Sequence, residues 1–151
     1  MLSEERRKAN VETRILAILK ELGVSCKNSG GKHLKEAIQM VYEEPEAIYQ
    51  FTEQICEPIA KKYGILAGRV QRRMSSEVER MWGKGNFEAF EKYFGKTFSK
   101  WDKPPYNKEV IANIAEYLHM QDQPEELTTR ISKILIEIGI FPSAKGFKWL
   151  R

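Results

Sequence analysis

The apolar positions of this chain recur at three- and four-residue steps almost throughout, the spacing that lines one face of an α-helix. Val11, Ile15, Ile18, Leu19 and Leu22 form the first stripe, and Gly23 stands where a left-handed cap would close it. Asn28 or Ser29 suits the start of a second helix, with His33, Leu34, Ala37, Ile38 and Val41 on its buried side. Glu44-Pro45 interrupts that helix. The spacing then predicts a helix over residues 45–55 with Ile48, Phe51 and Ile55 inward, and Pro58 suits the first turn of the next. After a break at residues 83–86, Phe87, Phe90, Tyr93 and Phe94 make a short aromatic helix stopped by Gly95. Residues 96–106, with Pro104-Pro105, read as a loop with room for a short strand at 97–101. Asn107 is expected to cap a helix bearing Val110, Ile111, Ile114, Ala115 and Leu118.

The chain also repeats itself. Residues 13–35 align without gaps onto residues 129–151, with Ile15/Ile131, Ile18/Ile134, Leu19/Leu135, Gly23/Gly139, Gly30/Gly146 and Leu34/Leu150 in register. The second copy stops where its second helix would begin, and Asp122, Gln123 and Pro124 read as linker. The expected architecture is therefore all-α: a compact six-helix bundle over 1–120, a linker at 121–127, and a C-terminal helix at 128–151 that begins a partial repeat.

The most informative local pattern is Ala60-Lys61-Lys62-Tyr63-Gly64, followed by Val70. A helix-turn-helix needs a small residue where its helices touch, a residue tolerant of positive φ in the turn, and an apolar residue on the second helix. Ala60, Gly64 and Val70 supply these in order. At 100° per residue the second helix divides cleanly. Val70, Met74, Val78, Met81 and Trp82 fall on one face, and Arg69, Arg72, Arg73, Ser76 and Arg80 on the other. An apolar back and a basic front suit a helix that docks in the major groove of DNA.

Charge sharpens this picture. The chain of 151 residues carries a net +4, but residues 59–84 hold seven bases (Lys61, Lys62, Arg69, Arg72, Arg73, Arg80, Lys84) against Glu77 and Glu79. That is +5 in one segment, so the remainder sums to −1, a concentration expected of a phosphate-facing surface. No apolar run approaches the roughly 20 residues of a membrane span, and the charged first ten residues lack the apolar core of a secretory signal. A cytoplasmic protein is expected. Cys26 and Cys56 form no CxxC pair and read as free thiols, while His33 and His119 lack the neighbouring ligands a zinc site needs. Neither a Gly-rich phosphate loop nor a nucleophile with a base is present, so an enzyme, a cofactor and a small-molecule substrate are not expected.

An ordered series of motifs resembles one known family. Glu21-Leu-Gly-Val24, Leu34-Lys-Glu-Ala-Ile38 with Val41-Tyr42, Pro58-Ile-Ala-Lys-Lys-Tyr63, Arg69-Val70, Arg72, Trp82 with Gly85-Asn86, and Phe94-Gly95 occur in sequence before a final helix after Pro105. Residues 15–118 thereby resemble the C-terminal DNA-binding domain of the response regulator that governs the start of sporulation in endospore-forming Firmicutes. The resemblance implies a six-helix domain that binds short promoter boxes, often as tandem copies. It places Arg69 and Arg72 at positions that contact DNA from the recognition helix, and Lys61 and Lys62 at basic positions on the helix before it. Six positions depart from the family pattern. Gln71 replaces a glutamate that takes part in base reading, Leu66 and Gly68 replace small hydroxylated residues that cap the helix and hold phosphates, and Arg73 replaces a small residue. Gly31 and His33 stand at aromatic positions that the second copy keeps as Phe147 and Trp149. No receiver domain is expected, so the family's phosphorylation control is not carried over.

The expected function is thus a sequence-preferring double-stranded DNA-binding protein, a transcriptional regulator that reads the major groove with residues 67–82. Arg69, Gln71 and Arg72 would read base edges, while Lys61, Lys62, Arg73, Arg80 and Lys84 would hold phosphates beside Ser76. The alternative is a protein-interaction module that keeps the fold and has lost specific recognition. Residues 128–151 would then offer apolar surface for self-association or for a tandem domain.

Overall fold

The computed structural model describes residues 2–95 and 103–122, together with Ile134 and Ile136. Its first helix, α1 (Leu2–Leu22), closes on Gly23 at φ 96°. Val24 N–H donates to Leu19 O at 2.8 Å and Gly23 N–H to Lys20 O at 3.1 Å, the paired bonds of a left-handed cap. In α2 (Ser29–Glu43) the residues with no exposure to solvent include His33, Leu34, Ala37 and Ile38, as the sequence pattern places them.

The single helix expected over 45–55 is instead a 3₁₀ turn, Pro45–Gln50, followed by a π segment, Phe51–Cys56. After the proline the backbone closes tightly, with Ala47 N–H donating to Glu44 O at 3.0 Å. It then widens until Glu57 N–H reaches the carbonyl of Thr52, five residues back. A tight turn followed by a wide one averages close to the α period. Ala47, Ile48, Phe51, Ile55 and Cys56 therefore still face inward.

The next helices are α3 (Glu57–Tyr63), with Pro58 in its first turn, α4 (Ala67–Lys84) and α5 (Phe87–Phe94). Last among the described helices is α6 (Asn107–Asp122), buried on most of its circumference from Val110 to His119. Asn107 does not cap α6 but is its first residue. Its side-chain amide donates to Gln71 O and Ser75 Oγ, both at 3.1 Å, which fastens α6 to α4. The start of the helix is closed instead by Glu109, whose carboxylate accepts from Tyr106 N–H at 2.8 Å.

Among the described residues, α1 to α6 thus enclose one core, in which α2 lies across both α4 and α6. Leu34, Ile38, Met74, Phe90, Ile111 and Ile114 are fully buried there. Each such side chain contributes about 1.5–3 kcal/mol of apolar transfer energy. Gln121 and Asp122, expected to open the linker, complete the last turn of α6. Asp122 accepts two bonds from Arg14 at 2.8 Å and one from the Tyr42 hydroxyl at 2.6 Å, so α1, α2 and α6 meet at one carboxylate. Ile134 is helical, buried and part of the same core, while Ile136 is helical and exposed. The rest of the second copy, Phe147 and Trp149 included, lies outside the described residues, as do the strand position at 97–101 and linker residues 123–127. No helix among the described residues is long and apolar enough to cross a membrane.

Candidate nucleic-acid interface

α3 and α4 are joined by a turn that only a glycine enters without strain. Gly64 sits at φ 67°, ψ 35°. Ile65 N–H donates to Ala60 O at 3.0 Å and Gly64 N–H to Lys61 O at 3.4 Å, the same cap that ends α1. Ala60 on α3 and Val70 on α4 are both buried in the core, and the two helices pack on each other. The small residue, the left-handed turn and the apolar anchor all occupy the places the pattern gave them. Leu66 is the N-cap of α4, extended at φ −79°, ψ 148°, and its apolar side chain makes no capping bond.

The two faces of α4 are realised. Val70, Met74, Val78 and Met81 are buried, and Trp82 stacks on Phe90 with ring centroids 5.6 Å apart. On the opposite side Arg69, Arg72, Arg73 and Ser76 line one shallow, open depression. No carboxylate lies within ion-pair distance of these three arginines among the described residues. Three unneutralised guanidinium groups within two helical turns make a strong anion-attracting surface.

The remaining expected site residues are distributed less simply. Gln71 is half-buried on the flank of α4, and its amide donates to Thr52 Oγ1 at 3.4 Å in the π segment. The glutamine lies near the buried Cys56 thiol, whose pKa burial pushes up to about 11. Its side chain is therefore engaged beside Phe51 and Asn107 rather than in the arginine depression. Arg80 is exposed and pairs with Glu77 at 3.4 Å. Lys84 donates to Gly23 O at 2.8 Å, where the carbonyl end of α1 attracts a cation. Lys61 is exposed. Lys62 reaches back to Glu36 on α2 at 2.5 Å, an ion pair that raises the lysine's pKa.

Sequence reading missed the residues that hold α4 in place. Glu77, on the helix that carries the arginines, is only 3% exposed. It accepts from Ser25 N–H at 3.1 Å and from the Asn28 amide at 3.0 Å, bracing α4 against the α1–α2 turn. Gly30 is the second brace. A Cβ there would meet the carbonyl oxygen of Arg73 at 2.2 Å, so α2 and α4 touch backbone to backbone. His33 lies in the same junction, edge-on to Tyr63 at 4.9 Å, with no hydrogen-bond partner for either ring nitrogen among the described residues. Burial, and then the charge of Arg73, hold its pKa below the ordinary histidine value. Lys27 and Lys32 flank this junction and are exposed.

A short helix, a left-handed glycine turn and a second helix with a basic outer face, set in an all-α bundle, define a helix-turn-helix protein. The family described as Sporulation initiation factor Spo0A C terminal matches residues 15–118. The chain belongs to that family, one of DNA-binding transcription regulators that act on double-stranded DNA and are not enzymes. The matched span runs from α1 into α6 and contains the whole helix-turn-helix.

Proposed function

We propose that this protein is a sequence-preferring regulator that lays α4 in the major groove, with Arg69 and Arg72 at base edges. The observation that carries this reading is the depression lined by Arg69, Arg72, Arg73 and Ser76 on the exposed face of a helix whose other face is core. An arginine fork matches the O6 and N7 acceptors of guanine, so these side chains favour guanine-containing boxes. Arg73, Lys61, Lys62, Arg80 and Lys84 supply phosphate contacts that fix register. Gln71, engaged by Thr52, is assigned to the flank and not to base reading. With a glutamine on the flank and an uncapped helix start, the preferred box differs from the family's own.

The test is fluorescence-anisotropy binding to a random duplex and to a selected pool at two salt concentrations. A selected sequence should bind at least about 10³-fold more tightly than random, with affinity falling steeply as salt rises. Arg72→Ala should cost about 1–3 kcal/mol and blur preference at one position, whereas Lys61→Ala should weaken all sequences alike. Equal losses on every sequence for both variants would refute this division of roles. A second reading, a protein-interaction module on the same fold, is favoured by Leu66, an apolar side chain 79% exposed at the tip of the helix-turn-helix. Weak binding indifferent to sequence and to Arg72 would select it.

A further inference from the structure

We infer that Glu36 is a built-in competitor of DNA for Lys62: in the free protein its carboxylate occupies the ammonium group that the phosphate backbone would otherwise claim. The inference rests on the reading of this surface as a DNA interface, and it adds a residue that sets the strength and salt dependence of that contact.

Glu36 lies on α2, one turn after His33, whose ring is edge-on to Tyr63 and whose surroundings feel the charge of Arg73. The carboxylate therefore sits at the border of the basic surface, beside the C-terminal turn of α3. One oxygen accepts from Lys62 Nζ and the other from the Tyr63 hydroxyl, each at 2.5 Å. The Glu36 side chain is 16% exposed and that of Lys62 is 64% exposed, so the acid is fixed while the base can swing. Burial alone would raise the Glu36 carboxyl, but Lys62 and Tyr63 together hold it below the ordinary range and keep it ionised near neutral pH.

A lysine neutralised from within contributes little to counterion release. To bind a phosphate, Lys62 must either leave Glu36 or bring that carboxylate close to the phosphate, and both weaken the contact. Removing the negative charge of Glu36 restores about one effective phosphate neutralisation. The salt slope then steepens by about 0.9, and at about 0.1 M salt one such counterion tightens binding by up to about eightfold. The contact is to the backbone, so the gain applies to every sequence and leaves the preference between boxes unchanged.

The experiment measures binding of the full chain to a random duplex across a salt series, for wild type, Glu36→Gln, Lys62→Ala and the double variant. Glutamine keeps the shape and still accepts from Tyr63, and Glu36→Ala serves as a second variant should glutamine perturb folding. Glu36→Gln should bind severalfold more tightly with a steeper salt slope, and the gain should vanish in the Lys62→Ala background. No gain, or a gain that persists undiminished without Lys62, overturns the inference while leaving the DNA reading intact. Wild-type protein that ignores duplex even at low salt overturns the DNA reading itself, and this inference with it.

Discussion

Gly30→Ala should disturb the junction that seats the DNA-binding helix. The added Cβ would lie 2.2 Å from Arg73 O, 2.9 Å from Arg73 C and 3.1 Å from Glu77 Cβ. Two of the three obstacles are backbone, which cannot rotate away. α2 and α4 must therefore separate locally by about an ångström to restore van der Waals distance. Alanine is favoured over glycine in a helix interior by about 1 kcal/mol. Overpacking of this kind costs about 1–3 kcal/mol, and stretching the two hydrogen bonds to Glu77 costs about 1 kcal/mol each. The net loss should be about 2–4 kcal/mol, read as a lower urea midpoint with an unchanged m-value. Duplex affinity should fall as well, because the residue pushed aside carries a guanidinium of the basic depression. A variant equal to or more stable than wild type, with unchanged affinity, would refute the backbone-to-backbone contact as the device that seats α4.

Other perturbations test other parts of the same argument. Glu77→Ala strands the donors of Ser25 and Asn28 and should cost about 2–4 kcal/mol in denaturant titrations; a loss below about 1 kcal/mol would mean water replaces the carboxylate. Leu66→Ser gives α4 the side-chain acceptor its N-cap lacks and should stabilise by about 1 kcal/mol, with a destabilised variant showing that the exposed leucine is packed. Acidification separates the two states through histidine. Burial lowers the folded-state pKa of both His33 and His119, so the unfolded chain binds more protons once pH falls below about 6.5. Stability should therefore drop between about pH 7 and 5, and His33→Phe should flatten that slope; an unchanged slope would show that His33 protonates freely in the native state.

The core and the helix-turn-helix were legible because both are written in periodicity. Ile15, Leu19, Leu34, Ile38, Met74 and Ile111 sit at helical spacing, and all are buried. Residues 45–55 were not, since a 3₁₀ turn followed by a π segment places Ile48, Phe51 and Ile55 inward just as an α-helix would. The engagement of Gln71 with Thr52 is hidden for a related reason. The glutamine's angle on the helix wheel puts it at the boundary of the two faces, and the docking of Asn107 on its carbonyl turns that boundary inward. Lys62 reads as a free cation in the sequence because its partner lies 26 positions earlier. Glu77 reads as a surface acid in a basic helix because its two donors come from the α1–α2 turn. Pairings across the fold leave no local trace.

The 3₁₀-to-π segment has a kinetic consequence. Its backbone ladder changes pitch midway, and α3, which it feeds, has only seven residues. Neither piece is a self-sustaining helix, so both are held by neighbours rather than by local propensity. Amide protons of 45–63 should therefore exchange through sub-global openings well before those of α4 and α6. The first helix of the helix-turn-helix then becomes the breathing edge of the domain: α4 stays seated while α3 opens and recloses. Association with a duplex would be paced by that reclosure, and a stiffer 45–56 segment would change the on-rate of binding while leaving the arginines where they are.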